Sequence, residues 1–240
     1  MTAIKTCSLT KMYGNKTVVD GLNLTVEHGE LFSLLGTNGA GKTTTVKILS
    51  TLIEQSSGTA EIFGLDTKTD RQKIREMINI SPQETAIAPN LTVKENLEFM
   101  AGAYKIKNPQ KKIADLTEKF GLAPVLGQKG KTLSGGWQRK LSIAIALIND
   151  PKLLFLDEPT LGLDVIARKE LWHVIEALHG NVTVILTTHY MEEAEKLSDR
   201  VAIMSEGKLC AVGTPSEIIA QSGKDNFEDA FVTLATGGEL

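Results

Sequence analysis

Residues 31–49 read LFSLLGTNGAGKTTTVKIL. The first five form a short apolar run of the kind that fills a fully buried strand, and Val46, Leu49 and Ile53 recur at helical spacing beyond it. Between strand and helix lies GTNGAGKT, in which Gly36, Gly41, Lys42 and Thr43 satisfy the spacing G-x-x-x-x-G-K-[ST]. Strand, glycine loop, helix is the context that a phosphate loop requires. A polyphosphate must be met by several backbone N–H groups at once, so glycines let the chain wrap closely and the following helix aims its N-terminus at the anion. Lys42 is then placed to reach the β and γ phosphates, and the Thr43 hydroxyl to ligate Mg²⁺.

Downstream, residues 153–159 read LLFLDEP, a buried-type strand ending in two adjacent carboxylates. Side chains alternate along a strand, so Asp157 and Glu158 point different ways and can take different roles. Asp157 is expected to hold Mg²⁺ through its water shell, and Glu158 to polarise or deprotonate an attacking water. Residues 133–140, LSGGWQRK, predict Ser134 as the N-cap of a helix running through Ile148, its hydroxyl and the glycine amides making a second anion-binding helix start. Two such starts in one chain suggest that one serves a neighbouring molecule.

The remaining pattern sorts into lobes. Leu22, Leu24 and Val26 at period two predict N-terminal antiparallel β structure. Residues 84–150 read as a helical lobe: Thr92 and Glu95 form a capping box before a face of Leu97, Met100, Ala101 and Tyr104. Asn108 and Pro109 open a second helix with the stripe Ile113, Leu116, Phe120, which Gly121 ends. Strand 153–156, helix 165–178 and strand 182–187 alternate, which implies a mostly parallel sheet. Residues 201–204 and 209–212 predict a hairpin, and Thr214, Pro215 and Glu217 a further capped helix. A last amphipathic helix through Phe227, Phe231 and Leu234 is expected to fray at its glycines.

The 240 residues are 42% hydrophobic and 23% charged, which excludes a disordered chain. Lys and Arg number 26 against 29 Asp and Glu, so the chain lacks the basic balance of a dedicated nucleic-acid binder. Cys7 and Cys210 are too few for a disulfide framework and are expected as small core residues. The N-terminus has no signal-peptide core, and no apolar run approaches the ~18 residues of a membrane span. The chain is expected to remain in the cytoplasm, with any spans supplied by another polypeptide.

In this order the motifs resemble the nucleotide-binding subunit of an ATP-binding cassette transporter, from about residue 2 to about residue 215. Such a resemblance implies an α/β fold: a P-loop NTPase core with a mostly parallel sheet, an N-terminal antiparallel β subdomain and an inserted helical subdomain. The whole chain, 1–240, is then one nucleotide-binding domain, with helices at about 84–150 and a short helical tail at about 214–240. By this resemblance Tyr13 stacks on adenine, while Gly36, Thr37, Asn38, Gly39, Ala40, Gly41, Lys42, Thr43 and Thr44 hold the phosphates. Gln83 in SPQE matches the glutamine loop, placing it in catalysis and beside the metal with Thr43 and Asp157. Ser134, Gly135 and Gly136 match the family signature, Asp164 the D-loop, and His189 in TTHY the switch histidine that works with Glu158. Trp137 stands where the family most often has Gln, and Thr37 replaces a commoner proline.

The resemblance further implies ATP and Mg²⁺ as cofactors and ATP hydrolysis coupled to transport. It implies a separate membrane permease subunit, a homodimer with two sandwiched ATP molecules, and a place on the cytoplasmic face of a membrane. The tail FEDAFVTLATGG resembles that of cassettes in the drug, polysaccharide and sodium exporter group, so export is the expected direction. A soluble cassette ATPase acting on ribosomes or DNA is the alternative, and it normally carries two cassettes or a long coiled-coil insertion.

Overall fold

The computed structural model describes residues 1–237. The chain opens with β1 (Thr2–Tyr13), β2 (Lys16–Leu22) and β3 (Thr25–Glu27), then enters the interior as β4 (Leu31–Gly36) and turns into α1 (Lys42–Leu49). There follow β5 (Ser57–Ile62), β6 (Leu65–Asp66), α2 (Arg71–Met77) and β7 (Ile78–Ser81). Next come α3 (Val93–Ala103), α4 (Pro109–Lys119) and α5 (Gly135–Ala146). The second half alternates β8 (Leu153–Asp157), α6 (Val165–Glu176), β9 (Thr183–Thr188) and α7 (Met191–Leu197). It ends with β10 (Arg200–Ser205), β11 (Lys208–Gly213), α8 (Pro215–Ser222) and α9 (Phe227–Thr236).

Two sheets result. β1 pairs antiparallel with β2, β3 and β5, and β6 extends β5, giving the antiparallel N-terminal sheet that the alternation at Leu22, Leu24 and Val26 predicts. The second has six strands in the order β11-β10-β4-β9-β8-β7, with parallel neighbours throughout except the edge hairpin β10–β11. Every residue of β4, β8 and β9 is buried, as a central parallel sheet covered on both faces demands. Glu206 and Gly207 turn the hairpin with φ of 47° and 82°, the two positive values of a type I′ turn.

The three helices α3, α4 and α5 form the expected lobe, and their apolar faces share one core with β8, β9 and α6. Thr92 accepts from the Glu95 N–H and Glu95 answers to the Thr92 N–H, completing the capping box. Gly121, at φ 62°, follows the end of α4 as anticipated. α8 also has its capping box, and α9 buries Phe227 and Phe231 against β10 and β11. The last three residues of the expected tail, 238–240, lie outside the described residues.

Several expectations are corrected. Ile53 is half-buried but lies beyond α1, because Thr51 at φ 61° breaks the helix. Tyr104 is exposed at the C-cap of α3 rather than inward, since Val93, Leu97 and Ala101 at spacing four already fill the buried face. Asn108 occupies an N-cap position without making a side-chain cap bond. Cys7 is exposed: Ile4 and Thr6 take the inward positions of β1, and Thr6 is fixed there by bonds to the Leu22 carbonyl and the Leu24 N–H, both 2.8 Å. Cys210, on the edge strand β11, is only half-buried.

Candidate nucleotide site

A cleft of about 420 Å³ opens at the carboxyl ends of β4, β8 and β9. Residues 38–44 line it together with Val18, Gln83, Glu158, Leu161 and His189. Open α/β sheets place ligands outside the carboxyl ends of their strands, so the sheet order itself locates the site.

Backbone contacts explain the loop glycines. A Cβ on Gly36 would stand 2.3 Å from the Met204 carbonyl oxygen, and one on Gly41 2.6 Å from that of Val18. Gly41 also takes φ 100°, reserved for glycine, and caps α1 with no side chain over the helix start. The first-turn N–H groups therefore face the cleft unobstructed. Lys42 is buried, its ammonium donating to the carbonyls of Gly36 (2.7 Å) and Thr37 (3.2 Å) and lying 3.4 Å from Oε1 of Glu158.

The two carboxylates of 153–159 diverge. Asp157 Oδ1 accepts from Thr43 Oγ1 at 3.2 Å and from the Thr187 hydroxyl. Glu158 turns toward Lys42 and His189, with Nδ1 of the imidazole 2.7 Å from Oε2, an arrangement that fixes the proton on Nδ1. Glu158 adopts φ 49°, a left-handed value that costs a non-glycine residue on the order of 1 kcal/mol. Its N–H donates to the carbonyl and hydroxyl of Thr187, both at 3.1 Å, which hold it there. Among the described residues no cluster of three or more His, Cys, Asp or Glu could hold a metal. The oxygen pair of Thr43 and Asp157 instead suits a hard, water-carrying ion such as Mg²⁺, with Gln83 at the exposed mouth of the cleft.

Other predicted residues lie elsewhere. Tyr13 is 51% exposed at the end of β1, its ring 5.0 Å from the Lys11 ammonium, and does not line the cleft. Ser134 is the N-cap of α5 as expected; its hydroxyl makes no cap bond within its own helix and is exposed, as is Gly135. The helix itself ends at Ala146 rather than Ile148. A Cβ on Gly136 would come within 3.1 Å of Ala167, so a glycine there lets α5 approach α6. Asp164 caps α6 by accepting from the N–H groups of Ile166 (2.9 Å) and Ala167 (3.0 Å). Trp137 is half-buried against the core of the helical lobe, beneath the Lys140 ammonium at 4.7 Å.

Sequence reasoning missed four supports. Val18 and Leu161 line the cleft, Thr187 holds both carboxylate residues, and Arg139 ties lobe to sheet. The buried Arg139 guanidinium donates to the carbonyls of Pro82 (2.7 Å), Gln83 (2.6 Å) and Glu158 (3.4 Å). Of these, only Thr187 carried a local signal, a hydroxyl near the end of β9 and two residues before His189.

The profile of the ABC transporter family matches residues 19–161, and an AAA-domain profile matches 131–193. The "Probable multidrug ABC transporter ATP-binding protein YbhF" of Escherichia coli is 39% identical over 97% of this chain, which spans 42% of that protein's length. The "Daunorubicin/doxorubicin resistance ATP-binding protein DrrA" of Streptomyces peucetius is 39% identical over 93% of this chain and 68% of its own length. A solved ATP-binding subunit of an ABC transporter superposes with a TM-score of 0.86 at 28% identity, covering 97% of this chain and 99% of that one. The dimeric cassette MJ0796, bound to ADP and phosphate after hydrolysis, gives 0.79 at 26% identity over 88% and 98%. The chain belongs to the ABC transporter family.

Proposed function

We propose that this chain is the ATP-binding and ATP-hydrolysing unit of a transporter, forming one nucleotide-binding domain that works with a separate membrane-spanning subunit. The observation that carries the reading is Glu158: a buried carboxylate held between Lys42 and His189 at the rim of a phosphate loop. Among the described residues no helix is long and apolar enough to cross a membrane, which accords with spans supplied by a partner and a peripheral place at the cytoplasmic face. The drug-resistance names of the relatives favour export of drug-like cargo.

The chemistry follows from the residues. The N–H groups of the 36–44 loop and Lys42 bind the phosphates, and Thr43 with Asp157 would hold Mg²⁺. That ion would neutralise charge on the transferred phosphoryl group. Glu158 orients and deprotonates the attacking water, and the Nδ1 bond from His189 keeps the carboxylate aimed. Gln83, on the loop that Arg139 grips, links cleft and helical lobe and reports nucleotide to the permease. Tyr13 is proposed to stack on adenine, and Ser134, Gly135, Gly136 and Asp164 to act on nucleotide at the face shared with a second copy.

Phosphate release by purified protein tests this. Glu158→Gln should retain equilibrium ATP binding while hydrolysing about 10²-fold or more slowly, the usual range for a lost general base. Lys42→Ala should bind ATP poorly. Wild-type turnover in Glu158→Gln would refute the assignment.

A further inference from the structure

Glu193 lies on α7, four residues after His189, and its side chain is fully buried. A buried carboxyl normally has a cation or a full set of donors. Glu193 makes no ion pair among the described residues, although the buried Arg139 guanidinium lies within range of its charge, and its Oε1 accepts from the buried Trp172 indole N–H at 3.0 Å. Its second oxygen, Oε2, is buried without a hydrogen-bond partner, and so is the hydroxyl of Thr160. The hydroxyls of Thr188 and Thr160 both stand close enough to act on the carboxyl. Thr188 Oγ1 already accepts from the Tyr190 N–H at 3.0 Å, which leaves its own proton for Glu193.

These partners belong to three segments of the proposed hydrolytic site. Thr188 precedes His189, Thr160 is two residues past Glu158, and Trp172 sits on α6, which Asp164 caps. We propose that Glu193 is a positioning residue that pins the turn carrying His189 to the turn that follows Glu158, and so keeps the His189–Glu158 pair aligned. Burial pushes its carboxyl up from the usual carboxylate range, against the opposing hydroxyls and indole, with the charge of Glu158 adding to the push. A protonated Oε2 has a proton to donate, and the Thr160 hydroxyl is the other buried group here without a partner to take it. A neutral group also places no second negative charge behind Glu158.

The inference rests on the hydrolytic reading of Glu158 and His189, and the test separates the two. Glu193→Met, Glu193→Gln, His189→Ala and the Glu193→Met, His189→Ala double variant are made in the full chain. Glu193→Met should lower kcat by roughly 10- to 10²-fold through misalignment, with KM for ATP nearly unchanged. Glu193→Gln, whose amide supplies both an acceptor and a donor, should restore most of that loss. The double variant should be no slower than His189→Ala alone, because the pin acts through the histidine; multiplied losses would overturn this. Amide exchange should quicken in Glu193→Met at residues 158–164 and 188–191 while the core strands keep their protection. Unchanged exchange there overturns the pin whatever the turnover. If the wild type hydrolyses no ATP yet exchange changes as described, the pin stands and the hydrolytic reading falls. Should Glu193→Met fail to fold, Trp172→Phe, which removes the indole donor, takes its place with the same expected directions.

Discussion

A glutamate buried as its neutral acid couples folding to pH with a sign opposite to that of an ion-paired carboxylate. Glu193 starts from 4.5 when exposed and is raised in the folded chain, so between those two values the native state holds a proton that the unfolded state has lost. Its contribution is complete below about 4.5 and declines as pH rises toward the folded value, with a slope of about 1.4 kcal/mol per pH unit for one proton. Glu193→Gln removes that proton, so the difference in urea midpoint between variant and wild type should move in the variant's favour as pH rises above about 4.5. A difference flat from pH 4 to pH 8 would show that Glu193 is ionised in the fold. The same scale sets what sequence can convey. Lys42, Thr43, Asp157 and Glu158 were legible because each belongs to a contiguous motif whose chemistry is local. Arg139, Thr187 and Glu193 were not, since their partners lie 57, 29 and 21 residues away along the chain. The N-cap position of Ser134 was legible for the same local reason, while the rotamer that leaves its hydroxyl free is not dictated by the sequence.

At the scale of elements, the connection between Gln83 and α3 has no helix or strand; Arg139 grips its start, and Asn96 holds its later part. Asn96, buried in the first turns of α3, accepts from the Ala88 N–H at 2.7 Å. Its amide donates to the carbonyls of Ala88, Leu91 and Thr92 at 3.1, 3.2 and 2.9 Å. Asn96→Ala strands these buried groups and should cost roughly 1–3 kcal/mol, read as a lower urea midpoint. Thr92→Ala loses only the cap and should cost about 1 kcal/mol. Equal losses would mean that the loop is held by something else. The capping box was legible because its two residues are three apart, whereas the grip of Asn96 on a loop eight residues back carries no periodic signal. β5, β6 and α2 escaped the reading as well. SGTAEI has few apolar residues and becomes a strand through its pairing with β1, some fifty residues earlier.

For the molecule as a whole, the residues that the family resemblance assigns to nucleotide fall on two separate surfaces. The cleft holds Lys42, Thr43, Gln83, Glu158 and His189, while exposed Ser134 and Gly135 stand at the start of α5. That start packs beside the first turn of α6, where Val165 and Ile166 are 59% and 72% exposed. Isolated exposed residues are ordinary, but an uncapped helix start flanked by two bare aliphatic side chains is a surface that a two-fold partner can use. In the proposed closed two-fold pair, the helix start of each chain would face the cleft of the other, and a nucleotide in the cleft would meet Ser134 only across the interface. Light scattering on Glu158→Gln should therefore report a mass that doubles with Mg-ATP and does not with ADP, because only the longer phosphate chain spans both surfaces. Ser134→Glu added to that variant sets a negative charge against the γ phosphate and should leave a monomer that still binds ATP. A dimer that forms without nucleotide, or that survives Ser134→Glu, would place the contact between copies on some other face of the molecule.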